Sequence, residues 1–263
     1  VTILVTGGTG VLGRCVVGRL VAAGHRVRVL SRDPSRSSTV HDVDLCAGDL
    51  RELASLRPAL SEVDVVVHCA SDARSPEAVD VAGTSNLVAA LRGLDVGHLV
   101  YVSIVGVDRI PIRYYRAKRD VEAIIENQGV PCTIQRATQF HPFVAEMLAR
   151  SARRPFIACP TGLRFQPIAV EQVANRVAQH VEAGAAGKAA DLGGPEVLTL
   201  HHLASTWLSA AGRRPRPLLP VPFPGAVGRA FKDGANLCPE QSSRGLTWTQ
   251  YLEASHSPEG AVR

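Results

Sequence analysis

Tyr114 and Lys118 stand four residues apart in the stretch Tyr114-Tyr-Arg-Ala-Lys118. On a helix that spacing puts a phenol and an ammonium on one face, with about 6 Å of axial rise between them. The ammonium favours the phenolate, and moving a tyrosine pKa from ~10 toward ~7.5 takes roughly 3 kcal/mol of differential stabilisation. A tyrosine tuned in this way gives or takes a proton at a carbonyl-type oxygen. Ser103, which ends a strand pattern eleven residues upstream of Tyr114, would orient the same oxygen. Only three of the 29 basic residues are lysines (Lys118, Lys188, Lys232), so a lysine at this spacing points to a need for a compact ammonium. Tyr115 competes for the proton if the helix begins later, and His141 is an alternative acid/base. The plain reading of the pair is a contact on a helix surface.

The elements that would hold these groups begin at the amino terminus. In Val1-Thr-Ile-Leu-Val-Thr-Gly-Gly-Thr-Gly-Val-Leu-Gly13 a strand-forming run enters a glycine cluster at Gly7, Gly10 and Gly13, and a helical pattern follows at once. A strand, a tight turn and a helix N-terminus aim backbone N–H groups and a positive dipole end at an anion, usually a pyrophosphate. Gly7 and Gly10 would allow the turn and the close approach of phosphates, and Gly13 the packing of helix on strand. Gly7, Thr9, Gly10, Val11, Leu12 and Gly13 are therefore the expected dinucleotide contacts.

From there to residue 137 short apolar runs alternate with helical patterns, which predicts a Rossmann-type α/β fold with a doubly wound parallel sheet. Expected strands are Thr2–Thr6, Arg26–Leu30, Asp44–Ala47, Val63–Cys69, His98–Ser103 and Cys132–Arg136. Expected helices are Val11–Ala23, Leu53–Leu60, Ala78–Leu91 and Tyr115–Asn127. Beyond residue 137 the alternation loosens, with helical patterns at Gln139–Arg150, Glu171–Glu182, Leu200–Ala211 and Thr247–Glu253. Residues 215–225 hold five prolines and read as an extended strap. The expected organisation is a dinucleotide domain over 1–137 and a smaller substrate lobe over 138–263, packed on it as one continuous unit. Phe156, Phe165, Phe223 and Phe231 are its candidate apolar liners, or else core residues.

The end of the second strand predicts which dinucleotide. An acid there bonds the ribose 2′-hydroxyl of NAD, whereas a base accommodates the 2′-phosphate of NADP. This chain carries Ser31 and Arg32, both donors to phosphate, which favours NADP(H) over NAD(H). Asp33 precedes Pro34 and more naturally caps a turn. Asp49, followed by Leu50, would either reach the adenine amino group or N-cap the next helix. Cys69, Ala70 and Ser71 end the fourth strand and keep the floor of the cofactor trough low. Ser103 and Lys118 are expected on the cofactor side as well. Gln139, Phe140 and His141 follow the sixth strand at the carboxyl edge of the sheet, where substrate is expected. Asn86 would bond a backbone carbonyl and steady the fourth strand, or else face solvent. His201 and His202 read as capping and solvated residues.

Composition narrows the classes. A hydrophobic content of 46% with 20% charged residues is that of a globular protein, and no apolar run approaches the ~18 residues that span a bilayer. No secretory signal is expected. The six cysteines are scattered without a Cys-x-x-Cys pair; Cys15, Cys46, Cys69 and Cys132 read as small buried hydrophobes in a reducing, cytoplasmic compartment, and no metal site is expected. A net charge of +5 would help to attract an anionic cofactor, but no basic stripe interleaved with aromatics points to nucleic acid. The expected partner is a small-molecule substrate, with no membrane and with a homo-oligomer left open.

The chain resembles an atypical short-chain dehydrogenase/reductase of the NmrA-like, NAD(P)-binding kind. The resemblance rests on Thr6–Gly13, Ser31-Arg32, Gly48-Asp49-Leu50, Gly83–Leu87, Val102–Gly106, Tyr114–Lys118 and Arg136–His141, and spans nearly the whole length. It implies that Lys118 contacts the nicotinamide ribose and that the loop after the sixth strand borders the substrate. The Asn-Ala-Gly signature of the superfamily's reductases is replaced here by Cys69-Ala70-Ser71. The expected function is NADP(H)-dependent reduction of a carbonyl, quinone or activated double bond in a small apolar molecule, as in a metabolite-tailoring step. The alternatives are an NAD(P)-binding redox sensor of NmrA type that turns nothing over and, third, a sugar-nucleotide epimerase-like enzyme.

Overall fold

The computed structural model describes residues 1–36, 43–210 and 215–256. The chain runs β1 (Thr2–Thr6), α1 (Val11–Ala22), β2 (Arg26–Ser31), β3 (Asp44–Ala47), α2 (Leu53–Ala59) and β4 (Val65–His68). A π-helical turn, Glu77–Ala82, leads into α3 (Gly83–Leu91), β5 (His98–Ile104), α4 (Arg113–Glu126) and β6 (Cys132–Ala137). Next come α5 (His141–Ser151), β7 (Ile157–Pro160), β8 (Arg164–Phe165), α6 (Val170–Ala183), β9 (Gly187–Lys188) and β10 (Leu198–Thr199). The last elements are α7 (Leu200–Ala210), β11 (Leu218–Val221), α8 (Gly225–Lys232) and α9 (Trp248–His256). The six expected strands and the eight helical patterns all have counterparts, with ends shifted by a few residues at most; Ala211 lies outside the described residues. The helix expected at Ala78–Leu91 is π-helical in its first part, and α8 and the strands β7, β8, β9 and β10 are not among the expected elements.

The chain divides into two compact units. The first, 1–107, 113–136 and 170–190, holds a parallel seven-stranded sheet in the order β3-β2-β1-β4-β5-β6-β9. β1 and β4 are its central strands, and Ile3, Leu4, Val5, Val66 and Val67 are all but inaccessible. Strands covered on both faces read as unbroken β-branched runs for this reason. Strand order reverses beside β1, so the loops after β1 and β4 open at the carboxyl edge, where ligands settle in such sheets. The return of 170–190 to this unit differs from a single division after 137. It comes about because α6 buries Val170, Val173, Ala174, Val177 and Val181 on one stripe and packs on α1.

The second unit, 108–112, 137–169 and 191–263, has a parallel pair β7–β11 and an antiparallel pair β8–β10. The proline-rich segment supplies β11, so the expected strap is in part a strand. Buried Gln166 ties this unit together: its amide donates to Gly194 and Ser242 and accepts from the Cys238 N–H. Phe165 and Phe231 are buried, Phe223 stacks on Phe231, and Phe156 is exposed. Cys159 and Cys238 are buried while Cys15, Cys46, Cys69 and Cys132 are half-buried, and all six are free thiols. Among the described residues no helix is long and apolar enough to cross a membrane.

Candidate functional site

The glycine turn closes on itself. Gly7 has φ +69°, and the Gly10 N–H donates to its carbonyl at 2.9 Å. A Cβ on Gly7 would lie 2.6 Å from the Ala70 nitrogen, and one on Gly13 2.0 Å from the Gly7 oxygen, so neither position accepts a side chain. Gly8, absent from the sequence reading, is equally tight against Val29. Gly10 caps α1 with no side chain to offer, and the helix's first turn carries no acid. Its N–H groups, from Val11 to Gly13, are thus presented to an anion at the mouth of the turn, with Thr9 exposed beside them. The cradle fits a pyrophosphate: a side chain at Gly7 or Gly13 would fill it, and the first turn of α1 carries no acid to offset its dipole.

Ser31 ends β2 and Arg32 and Asp33 follow it, exposed. The Ser35 hydroxyl donates to Asp33, which is held in its own turn, as its position before Pro34 predicts. Asp49 does not cap α2, whose N-cap is Glu52. It accepts instead from the Arg51 backbone at 2.9 Å and from the Arg51 guanidinium at 2.5 and 3.1 Å, so the capping alternative is corrected: a local turn outcompetes the helix start. The Arg51 hydrogen bonds hold the Asp49 carboxyl below the usual carboxylate range against partial burial, and Arg32 acts in the same direction. The buried Leu50 offers its carbonyl to the Asn86 side chain at 2.9 Å, so Asn86 steadies the loop after β3 rather than the fourth strand.

At the end of β4, His68 bridges Thr6 at 2.6 Å and Thr84 at 2.9 Å. Burial, helped by the Lys118 charge, brings its pKa down to about 3, and the ring is neutral. Burial pushes the Cys69 thiol up to about 12, which makes it inert. Ser71 donates to Asp80 at 2.6 Å and lies 2.9 Å from the Tyr114 hydroxyl.

α4 begins at Arg113, one residue before Tyr114, so Tyr114 and Lys118 share a helix face, with Tyr115 edge-on to the Tyr114 ring. Lys118 is 4% exposed and its ammonium lies 3.3 Å from Asp80, itself 1% exposed. It also faces the Val102 carbonyl at 3.5 Å and the rings of Tyr101 and Tyr114, at 4.9 and 5.7 Å from their centroids. Burial opposes the charged form, but Tyr101, Tyr114 and Asp80 together outweigh it and raise the lysine's pKa. Ser103 lies next to Val102, buried, and its hydroxyl has no partner among the described residues. It is an orphaned donor and acceptor where a ligand oxygen is expected.

Sequence reasoning missed Asp80 and Tyr101. A signal for Asp80 existed. Asp80, Thr84, Leu87 and Leu91 fall at i, i+4, i+7 and i+11, so a carboxylate stands on the buried stripe of the π turn and α3. Such a group is rare unless paired.

The residues after β6 belong to the second unit. Gln139 donates to the Asn236 carbonyl and accepts from the Gln166 N–H. Phe140 caps α5 and bridges Ile168. His141 is buried, stacked on Tyr251 at 4.9 Å and near Trp248 at 6.0 Å, and neither ring nitrogen has a hydrogen-bond partner among the described residues. Burial brings its pKa down to about 4. His201 and His202 are exposed, and the His202 N–H is capped by Thr199.

Comparison with known proteins agrees with this geometry. The chain is 31% identical over 251 residues to (4-alkanoyl-5-oxo-2,5-dihydrofuran-3-yl)methyl phosphate reductase of Streptomyces griseus, covering 89% of this chain and 86% of that one. Over 101 residues it is 34% identical to an uncharacterized protein of Mycobacterium tuberculosis, of which it spans only 12%. The NADPH-dependent quinone oxidoreductase QOR2 of Escherichia coli, solved with NADPH, shares the fold with a TM-score of 0.79 at 17% identity, covering 95% of this chain and 98% of that one. A family described as NAD(P)H-binding matches residues 7–143. With its glycine turn and parallel sheet, the chain belongs to the NAD(P)H-binding family.

Proposed function

We propose that this protein is an NADP(H)-dependent reductase of a carbonyl, quinone or activated double bond in a small, fairly apolar molecule. The observation that carries the reading is the Tyr114 hydroxyl, which shares a helix face with a buried, charged Lys118 in the unit that holds the glycine turn. A bound nicotinamide supplies hydride. Tyr114 gives its proton to the substrate oxygen as that oxygen gains charge, and Lys118 steadies the phenolate left behind. The free Ser103 hydroxyl donates a second hydrogen bond to the same oxygen, in a setting that excludes water. Similarity to a reductase over most of both chains supports this class. Ser31 and Arg32 support the 2′-phosphate, since the nearest acid, Asp33, is engaged by Ser35. Gln139 and Phe140 remain the substrate-side candidates. His141, neutral and flat against Tyr251, is left to packing.

The test is NADPH consumption with a panel of quinones, enones and aldehydes. Tyr114→Phe is expected to lose about 10²–10⁴-fold in kcat with little change in NADPH affinity. Arg32→Ala is expected to weaken NADPH by at least ~10-fold while barely moving NADH, since a charge-assisted contact of about 1.5–3 kcal/mol is lost. Equal losses for the two dinucleotides defeat the 2′-phosphate argument. Cofactor binding with no panel member reduced favours the redox-sensor reading instead.

A further inference from the structure

We propose that Asp80 is the counter-ion of Lys118 and, through Ser71, the anchor of the Tyr114 hydroxyl, and that it offsets the lysine's pull on this phenol and fixes it as the hydrogen-bond donor to Ser71. The inference rests on the reading of Tyr114 as the proton donor. Its starting point is the direction of the hydrogen bonds. Asp80 Oδ1 accepts from the Ser71 hydroxyl at 2.6 Å and Oδ2 from the Asp72 N–H at 3.0 Å. Ser71 has one proton, and it is directed to the carboxylate. Toward Tyr114, 2.9 Å away, Ser71 therefore presents a lone pair, and the phenol is the donor. A phenolate at that position would face a lone pair or force Ser71 off Asp80.

Charge acts in the same sense. A lysine by itself would draw the phenol toward ionisation, but its ammonium lies 3.3 Å from the Asp80 carboxylate, and the buried pair is neutral as a whole. The other groups around Tyr114 do not restore a positive field. His68, stacked behind Tyr101, is neutral, and Tyr101 is driven further from ionisation, chiefly by burial. Tyr115 stands edge-on, and Arg113 is paired with Glu77 at the surface. The π-helical turn Glu77–Ala82 is what delivers Asp80 here. It leaves the residue buried on the inner stripe, with the Thr84 hydroxyl bonded to the Asp80 carbonyl. Irregular turns of this kind recur at functional sites, where they re-aim a side chain.

The proposal predicts that removing the Asp80 charge releases the lysine's pull on the phenol. Tyrosinate absorbance would be titrated on the cofactor-free protein, each variant being compared with its own Tyr114→Phe partner to isolate one of the four tyrosines. In Asp80→Asn the Tyr114 midpoint is expected to fall by about one to two pH units, a ten- to hundredfold change in the phenol-to-phenolate ratio. A midpoint that stays within ~0.3 unit of the wild type, or rises, overturns the proposal. Should Asp80→Asn fail to fold by circular dichroism, Ser71→Ala decides. It leaves the ion pair and deletes only the acceptor, so a fall of about half a unit is expected, and no shift overturns the anchor. Calorimetry with NADPH on the same proteins separates the two readings. If the wild type binds no NADPH, the proposed function fails whether or not the midpoint moves.

Discussion

Lys118 and His141 are both buried, both titratable and both candidates for acid–base chemistry, yet the protein holds them in opposite states. Lys118 has a carboxylate at 3.3 Å and two aromatic rings over its ammonium, and it is charged. His141 has the rings of Tyr251 and Trp248 but, among the described residues, no partner for either nitrogen, and it is neutral. Burial pushes a titratable group toward its neutral form wherever it acts alone. Partners placed within reach reverse the outcome, and Lys118 has them in Tyr101, Tyr114 and the Asp80 carboxylate. The two regions also differ in what a mutation leaves behind: in one an unpaired charge, in the other only the rings of Tyr251 and Trp248.

The sharpest way to break this contrast is to remove the ammonium. Lys118→Met strands the buried Asp80 charge, and urea denaturation is expected to show a loss of about 3–5 kcal/mol. Adding Asp80→Asn should recover most of it, because the stranded charge, rather than lost packing, carries the cost. A single-variant loss under ~1 kcal/mol would mean that the pair does not hold the unit together.

Next in size is the pH dependence owed to His141. Its pKa in the folded protein is about 4, below the ~6.5 of a free imidazole, so the unfolded chain takes up the proton first as pH falls. The stability owed to this residue is therefore whole above pH ~6.5 and lost progressively down to about pH 4, by about 3 kcal/mol. His141→Phe removes that part of the acid sensitivity and leaves the part owed to His68, whose pKa is about 3. Superimposable melting curves of the two proteins between pH 4 and 7 would show that His141 is not held neutral.

The smallest effect is expected at pH 7. There His141→Phe keeps the stack on Tyr251 and discards two unsatisfied nitrogens, so stability should change by less than ~1 kcal/mol or rise slightly. Retention of the fold with collapse of NADPH-dependent turnover would return His141 to the chemistry and erase the contrast.

Much of the cofactor half was legible before any coordinates. The glycine turn, the strand that feeds it and the helix that leaves it are contiguous within thirteen residues. The Tyr–Lys spacing needs only helical geometry, and α4 provides it. Harder to read were groups whose meaning lies in a neighbour far along the chain. Asn86 was seen as a donor to backbone, but its acceptor, the Leu50 carbonyl, is 36 residues away.

The residue order was enough to dictate the alternating sheet, the glycine turn before α1 and the shared face of Tyr114 and Lys118, because each follows from periodicity or from backbone sterics over a few positions. The state of the buried titratable groups came from packing. A side chain's charge depends on what has replaced water around it, and for Lys118 and His141 that replacement arrives from the π-helical turn before α3 and from α9.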